Sequence, residues 1–468
     1  MNGRTAAFQA VLAALCGGGF VHDTLARLRA SGGLAGREAA LAMEIALGSL
    51  RHLVTIEQVL GKLARYDPRR VKPDIRAILL TGAFQIIWMD RVPDFAAVDE
   101  TVRLARRRTK GRAAGMVNAV LRNLTRAVDT RSAPWTRLNP RQIRTGWERA
   151  CAFNSDVLPA PGNDRTKIEH LAAAAGEHLS RMRTLVNRHG EDRAEAVAWA
   201  LQAVPPTVLQ RNTLRINSGV FEARIRQELG PQVEWTPEGV FAPPYVNVID
   251  APLFQEGRAY IQDTTARSAA LLLDARRGET ILDLCAAPGG KTVVIAQQIG
   301  DYGEVLACDV APERVRRIAE NARRMRLSSI RTHLIDAADG VEALARDFNA
   351  VLVDVPCTNS GVVARRPEAR LGFTRKKLDS LTSLQAILLR QAAARVRLGG
   401  RLVYSTCSIE PEENENIISA FIDENPRWRR LLVRTTLPQW GPRPSNWRDG
   451  GFAALLVHNP SRYSFSPH

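Results

Sequence analysis

Cys357 and Cys407 are the side chains with the most chemistry to offer. Cys357 stands in Asp354-Val355-Pro356-Cys357-Thr358 and Cys407 in Tyr404-Ser405-Thr406-Cys407-Ser408, each directly after a short apolar run. Free cysteines are often buried core residues, and that role is assigned to Cys285 and Cys308. A thiol just past a strand, flanked by Pro or Ser/Thr, is instead placed to act as a nucleophile once ionised. A third segment is Asp283-Leu284-Cys285-Ala286-Ala287-Pro288-Gly289-Gly290-Lys291-Thr292. Its small residues let a ligand approach the backbone at a helix N-terminus. It narrowly misses the phosphate loop G-x-x-x-x-G-K-[ST], because Cys285 stands where the first glycine belongs. Val351-Leu352-Val353-Asp354 also passes for the Mg²⁺-binding strand of an ATPase. A nucleotide triphosphatase therefore competes at this point. Asp309, about 20 residues past the glycines, suits ribose hydroxyls, which a phosphate-loop enzyme does not need. Its plainer role is to cap the helix opening at Pro312. Asp336 ends a later strand, where it would cap a helix or meet an adenine edge.

These residues need a scaffold, and residues 263–468 supply one. Short apolar runs at Thr280–Cys285, Glu304–Asp309, Arg331–Ile335, Ala350–Asp354 and Arg401–Thr406 alternate with helical stretches. The helices fall at about Lys291–Ile299, Pro312–Arg326, Val341–Arg346 and Lys377–Val396. Alternating strands and helices with nearly continuous apolar strands imply a buried parallel sheet covered on both faces. Ligands of such sheets bind beyond the carboxyl ends of the strands. That is where both cysteines, Asp309, Asp336 and Asp354 fall.

The remainder reads differently. Residues up to 126 carry apolar positions at helical spacing, punctuated by Pro68, Pro73 and Pro93. Residues 127–165 lose that periodicity, collect prolines and are read as a linker. Residues 166–262 return to helix and then to short mixed pieces, strand-like at Leu209 to Ile216 and Val246 to Ile249, and are read as an intermediate subdomain.

The chain has 468 residues and a formal net charge of +17. Residues 1–150 hold 25 Lys+Arg against 12 Asp+Glu; the rest hold 40 against 36. The basicity is therefore mainly N-terminal and points to a polyanion such as nucleic acid. The alternative is an arginine-rich solvated surface. Arg106, Arg107, Arg108, Lys110 and Arg112 form a basic run that serves either as a phosphate clamp or as a solvated helix end. The six cysteines include no C-x-x-C pair, so neither a metal site nor a disulfide framework is expected. No window reaches the roughly 18 apolar residues of a membrane span, and Met1 to Phe20 lacks a cleavage site of the A-x-A kind. A reduced, cytoplasmic, monomeric protein is expected, with no membrane attachment.

Asp283–Thr292, Asp354–Cys357 and Ser405–Ser408 resemble the Sun/Nop-type RNA (cytosine-5) methyltransferases, which use S-adenosylmethionine. The resemblance extends to Ile261-Gln262-Asp263, Arg211–Leu214, Glu410–Glu415 and Asp449–Phe452. Gly48-Ser49-Leu50-Arg51 and Gly115–Arg122 resemble a NusB-type RNA-binding domain. The combination resembles that of the RsmB-like branch. It implies a multidomain protein: an all-α NusB-like domain (1–126), a linker (127–165), a small α+β intermediate subdomain (166–262) and an α/β Rossmann-like methyltransferase domain (263–468). It also implies methylation of carbon 5 of a cytosine in RNA, most naturally the 16S ribosomal RNA. Cys407 would be the nucleophile, Cys357 would help release the product, Asp354 would hold a protonated cytosine N3, and Lys291 would orient Asp354. The cofactor set would be Cys285, Ala286, Ala287, Pro288, Gly289, Gly290, Lys291, Asp309, Arg314, Asp336 and Asp354, with no metal. The competing readings are the phosphate-loop ATPase with an RNA-binding domain and a non-catalytic ribosome-assembly or antitermination factor.

Overall fold

The computed structural model describes residues 1–17, 19–335, 344 and 347–459. The chain divides into two compact units. The first comprises Met1–Ala203 with Val363–Gly372, the second Val204–Val362 with Phe373–His468.

The first unit opens with seven helices: α1 (Gly3–Leu15), α2 (Val21–Ala30), α3 (Gly36–Arg51), α4 (Leu53–Ala64), α5 (Pro73–Trp88), α6 (Asp94–Arg108) and α7 (Ala114–Ala127). Every residue of α5 from Ala77 to Ile87 is buried, so this helix is the axis around which the others pack. Its approach to α3 requires a glycine. A Cβ on Gly48 would lie 2.0 Å from the Phe84 ring. The next residues of that motif hold the returning segment. Buried Arg51 donates from Nε and Nη2 to the Ala364 carbonyl at 3.2 and 2.8 Å. Arg370 donates to the Arg51 carbonyl at 2.7 Å and pairs with Glu177 at 2.8 Å. Desolvation lowers the Arg51 pKa to about 10.

The stretch read as a linker is structured. Strands β1 (Val128–Pro134), β2 (Gln142–Arg144) and β3 (Arg149–Phe153) form an antiparallel sheet in the order β1-β3-β2. Its strands are short, carry a register shift and alternate poorly, which is why no period-2 pattern marks them. Helices α8 (Asp164–Ala174), α9 (Leu179–His189) and α10 (Glu191–Gln202) complete the first unit, so residues 166–203 group with it rather than with the segment that follows.

The second unit begins with a four-stranded antiparallel sheet of β4 (Thr207–Arg211), β5 (Glu234–Thr236), β6 (Gly239–Ala242) and β7 (Ala259–Ile261), in the order β5-β6-β4-β7. Helix α11 (Ser218–Leu229) and the short α12 (Pro252–Gln255) cover it. Val246 to Ile249 is not a strand. Tyr245 and Ile249 are exposed there, and the apolar run reflects a loop.

After α13 (Thr264–Leu271) comes the main sheet. Its strands are β8 (Thr280–Leu284), β9 (Glu304–Asp309), β10 (Ile330–Leu334), β11 (Phe348–Asp354), β12 (Val396–Thr406), β13 (Trp428–Thr436) and β14 (Gly451–His458). The helices between them are α14 (Gly290–Gln298), α15 (Pro312–Met325), α16 (Arg375–Ala394) and α17 (Glu415–Glu424). The order β10-β9-β8-β11-β12-β14-β13 is parallel from β10 to β12, and the last two strands run antiparallel. The expected sheet is thus present with an antiparallel edge, giving an α/β Rossmann-like fold. The chain winds outward from β8 in one direction and from β11 in the other. The gap between β8 and β11 is therefore the switch point where such sheets bind ligands. Asp336 and, apart from Leu344, the expected helix at Val341–Arg346 lie outside the described residues.

Candidate active site

Register brings the two cysteines together. β11 and β12 are parallel neighbours, with Asp354 paired to Ser405. The turns beyond them place Cys357 Sγ 3.1 Å from Cys407 Sγ. Cys357 is buried and Cys407 half-buried. The hydrogen bond with Cys407, then burial, raises the Cys357 pKa well above the ordinary thiol value, so Cys357 is held protonated. Cys407 lines a cleft together with Lys291, Asp263, Thr406, Arg434 and Asp449.

At the switch point, Lys291 Nζ on α14 meets Asp354 Oδ2 on β11 at 2.7 Å. Ser405 donates to the other carboxylate oxygen at 2.6 Å. Lys291 is not a surface lysine. Burial opposes its charge, but the Asp354 carboxylate outweighs burial and its pKa is raised overall. Asp283, behind the loop, is fully buried and accepts from the Thr292 hydroxyl at 2.6 Å. Burial lifts its pKa to about 7.

The loop after β8 has the shape a nucleoside cofactor needs. Cys285 sits in the left-handed region at φ +59°, and Gly289 at +99°. A Cβ on Gly289 would meet Ile318 at 3.3 Å. No side chain caps α14, so its first N–H groups are open to a ligand. Asp309 does not cap the helix at Pro312, because α15 starts from Ala311 without a side-chain cap. Its carboxylate instead accepts from Ala287 N at 3.3 Å and from Val310 N at 2.9 Å, with Arg314 3.7 Å away. Gln262 is nearly buried beside the first turn of α14, and its Oε1 has no hydrogen-bond partner among the described residues. These groups fit S-adenosylmethionine. Asp309 suits its ribose, and the turn from Ala286 to Gly290, with the orphaned Gln262 oxygen, suits its methionine part. Cys285 is half-buried at this turn, with its thiol pKa raised to about 12 by burial. Cys308 lies in the core, as expected, and is raised to about 12 for the same reason.

Sequence reasoning passed over the residues that brace the cysteine loops. Glu413 is fully buried and accepts from Thr358 N at 2.8 Å and from Gln385 at 3.0 Å. Asn414 accepts from the Thr406 hydroxyl at 2.6 Å and donates to the Ser408 carbonyl at 3.0 Å. The signal was the run Glu410–Glu415: polar residues, two of them carboxylates, that the fold buries almost completely at Glu410, Glu413 and Asn414. Among the described residues no cluster of His, Cys, Asp and Glu suits a metal. No single described helix is long and apolar enough to cross a membrane.

Residues 270–441 match the family described as 16S rRNA methyltransferase RsmB/F, and residues 1–126 match the NusB family. A probable ribosomal RNA small subunit methyltransferase B of Bacillus subtilis is 29% identical over 87% of this chain and 85% of its own length. The ribosomal RNA small subunit methyltransferase B of Pseudomonas putida is 28% identical over 93% and 92%. The crystal structure of PH0851 has the same fold, with a TM-score of 0.73, 22% identity, and coverage of 97% of this chain and 99% of that one. The match to the RsmB/F methyltransferase family thus covers both cysteine loops, and the match to the NusB family covers the N-terminal helices.

Proposed function

We propose that the protein methylates carbon 5 of a cytosine in small-subunit ribosomal RNA through a covalent adduct between Cys407 and carbon 6 of the base. The observation that carries this reading is the pair of thiols 3.1 Å apart, one held protonated and the other opening onto a cleft. Carbon 5 of cytosine is a poor nucleophile. Addition of the Cys407 thiolate to carbon 6 forms a sulfur–carbon bond and leaves carbon 5 electron-rich, splitting one difficult step into easier ones. Asp354, oriented by Lys291 and Ser405, holds cytosine N3 in its protonated form and draws the attack toward carbon 6. S-adenosylmethionine, when bound, supplies the electrophilic methyl group that carbon 5 takes. Release requires the carbon 5 proton to leave to a base. The electron pair of that C–H bond re-forms the double bond as the bond to Cys407 breaks. Cys357 is assigned to this release.

The target base must be unstacked to reach Cys407, so a loop or opened RNA site is the expected substrate. The basic N-terminal domain supplies the RNA footprint. Ribosomal RNA places the reaction in the cytoplasm. The chain is taken to act as a monomer, which a sedimentation mass above its own 51.6 kDa would contradict. The deciding experiment is Cys357→Ala with RNA and S-adenosylmethionine. A covalent protein–RNA band should accumulate on a denaturing gel. If the band appears with Cys407→Ala instead, the two cysteines exchange roles. If neither variant gives one and bisulfite sequencing finds no 5-methylcytosine dependent on the protein, the reading is lost.

A further inference from the structure

Asn359 joins the two cysteine loops through one side chain. It follows Cys357 by two residues and lies in the left-handed region at φ +60°. Its Nδ2 donates to the Cys357 carbonyl at 3.0 Å, and the Cys407 thiol donates to its Oδ1 at 3.2 Å. Two residues on, Gly361 N donates to the Cys407 carbonyl at 3.0 Å. The turn after β11 therefore grips Cys407 twice, once at its backbone and once at its sulfur. A left-handed turn alone does not explain the side chain. Asparagine tolerates that conformation, but glycine does so at no cost. The carboxamide offers both a donor for a carbonyl and an acceptor for a thiol, on two separate atoms held in one plane.

We propose that Asn359 is a positioning residue for the nucleophile. Its carboxamide fixes the rotamer of Cys407 and the spacing of that sulfur from Cys357, so that Cys407 meets carbon 6 from one direction. The inference rests on the cytosine carbon 5 reading above. Without the carboxamide the Cys407 side chain samples other staggered rotamers. The fraction of bound complexes poised for attack then falls, while binding of the RNA, which this side chain does not set, stays as it was.

The test is Asn359→Gly, which keeps the left-handed turn and removes the carboxamide bridge. It should melt with the parent, form 5-methylcytosine with kcat lower by on the order of tenfold to a hundredfold, and leave KM for RNA within about twofold. In the Cys357→Ala background the same substitution should slow appearance of the covalent band by a similar factor, which reads the addition step itself. A residue serving the turn alone would leave both rates at parental values, and that result overturns the proposal. If Asn359→Gly melts lower, Asn359→Asp carries the test. It has the same shape and accepts from the thiol but cannot donate to the Cys357 carbonyl, so slow band formation is again expected and a parental rate again overturns the idea. Failure of the underlying reading looks different: the parent then makes no 5-methylcytosine and Cys357→Ala gives no band, whatever occupies position 359.

Discussion

The sulfurs of Cys357 and Cys407 lie 3.1 Å apart across 50 residues of sequence. The cause is topological. β11 and β12 are parallel neighbours with Asp354 opposite Ser405, and each strand runs only two or three residues further before its cysteine. The contact also makes the two thiols unequal. Burial and the neighbouring sulfur keep Cys357 protonated, and Cys407 faces the cleft. A nucleophile must be accessible, and a group that assists departure need not be, so the asymmetry favours Cys407 as the attacking residue.

Replacement of Cys407 by alanine should abolish methyl transfer and leave cofactor affinity unchanged. The residues assigned to S-adenosylmethionine include the turn after β8 and Asp309, whose hydrogen bonds to Ala287 and Val310 do not involve Cys407. A thermal shift by S-adenosylmethionine, measured beside turnover, separates the two. Retained turnover would end the nucleophile assignment.

Lys291→Met should lower kcat by about a hundredfold or more, the range typical of a positioned proton-handling group. Lys291 is the cation on Asp354 Oδ2 at 2.7 Å, and Ser405 holds only the other oxygen. With the cation gone, the carboxylate loses the partner that orients it toward the base. Single-turnover rates check this. An unchanged rate would return Lys291 to a structural role.

Glu413→Gln should lower stability by about 1–3 kcal/mol, the cost of a buried polar group left facing the wrong partner. Glu413 accepts from both the backbone and the hydroxyl of Thr358 and from Gln385, so a carboxamide at 413 gives up one of these acceptor oxygens and forces its neighbours to reorient. The residue beside Cys357 loosens in consequence. Denaturant unfolding reads the first effect and methylation rate the second. Parental values for both would show that the brace is dispensable.

Strands and motifs of the methyltransferase region were legible because a buried parallel sheet makes continuous apolar runs, and its ligand residues follow them directly. Asp283–Thr292, Asp354–Cys357 and Ser405–Ser408 were found that way. The sheet of β1, β2 and β3 was not. Its strands are three to seven residues long, and residues such as Arg131 and Arg149 hide their alternation. Asn359 and Glu413 were illegible for another reason. Their roles depend on which carbonyl, thiol or amide folding brings within reach, and no spacing in the chain encodes that.

Neutralising Arg106, Arg107, Lys110 and Arg112 together should weaken RNA binding uniformly across sequences. All four are exposed at the end of α6 and in the turn before α7. If they sit on phosphates, the slope of log affinity against log salt should fall by roughly 0.7–0.9 for each phosphate no longer neutralised. Filter binding across a salt series measures it. An unchanged slope would place the RNA footprint elsewhere.

Asp283 should give folding stability a pH dependence opposite to that of an ordinary ion-paired carboxylate. Burial raises its pKa from 3.8 to about 7 in the folded protein, so between those values the folded state binds more protons than the unfolded chain. Stability contributed by this group is therefore fully present below about pH 4, declines as pH rises toward 7, and is flat above. Each pH unit within that window removes at most about 1.4 kcal/mol. Asp283→Asn keeps the shape and cannot ionise. The difference in melting temperature between parent and variant should therefore change steadily across that range, with the parent losing ground as pH rises. Parallel melting curves would mean that Asp283 is ionised in the folded protein and that the Thr292 hydroxyl, 2.6 Å from its Oδ2, is enough to hold the charge.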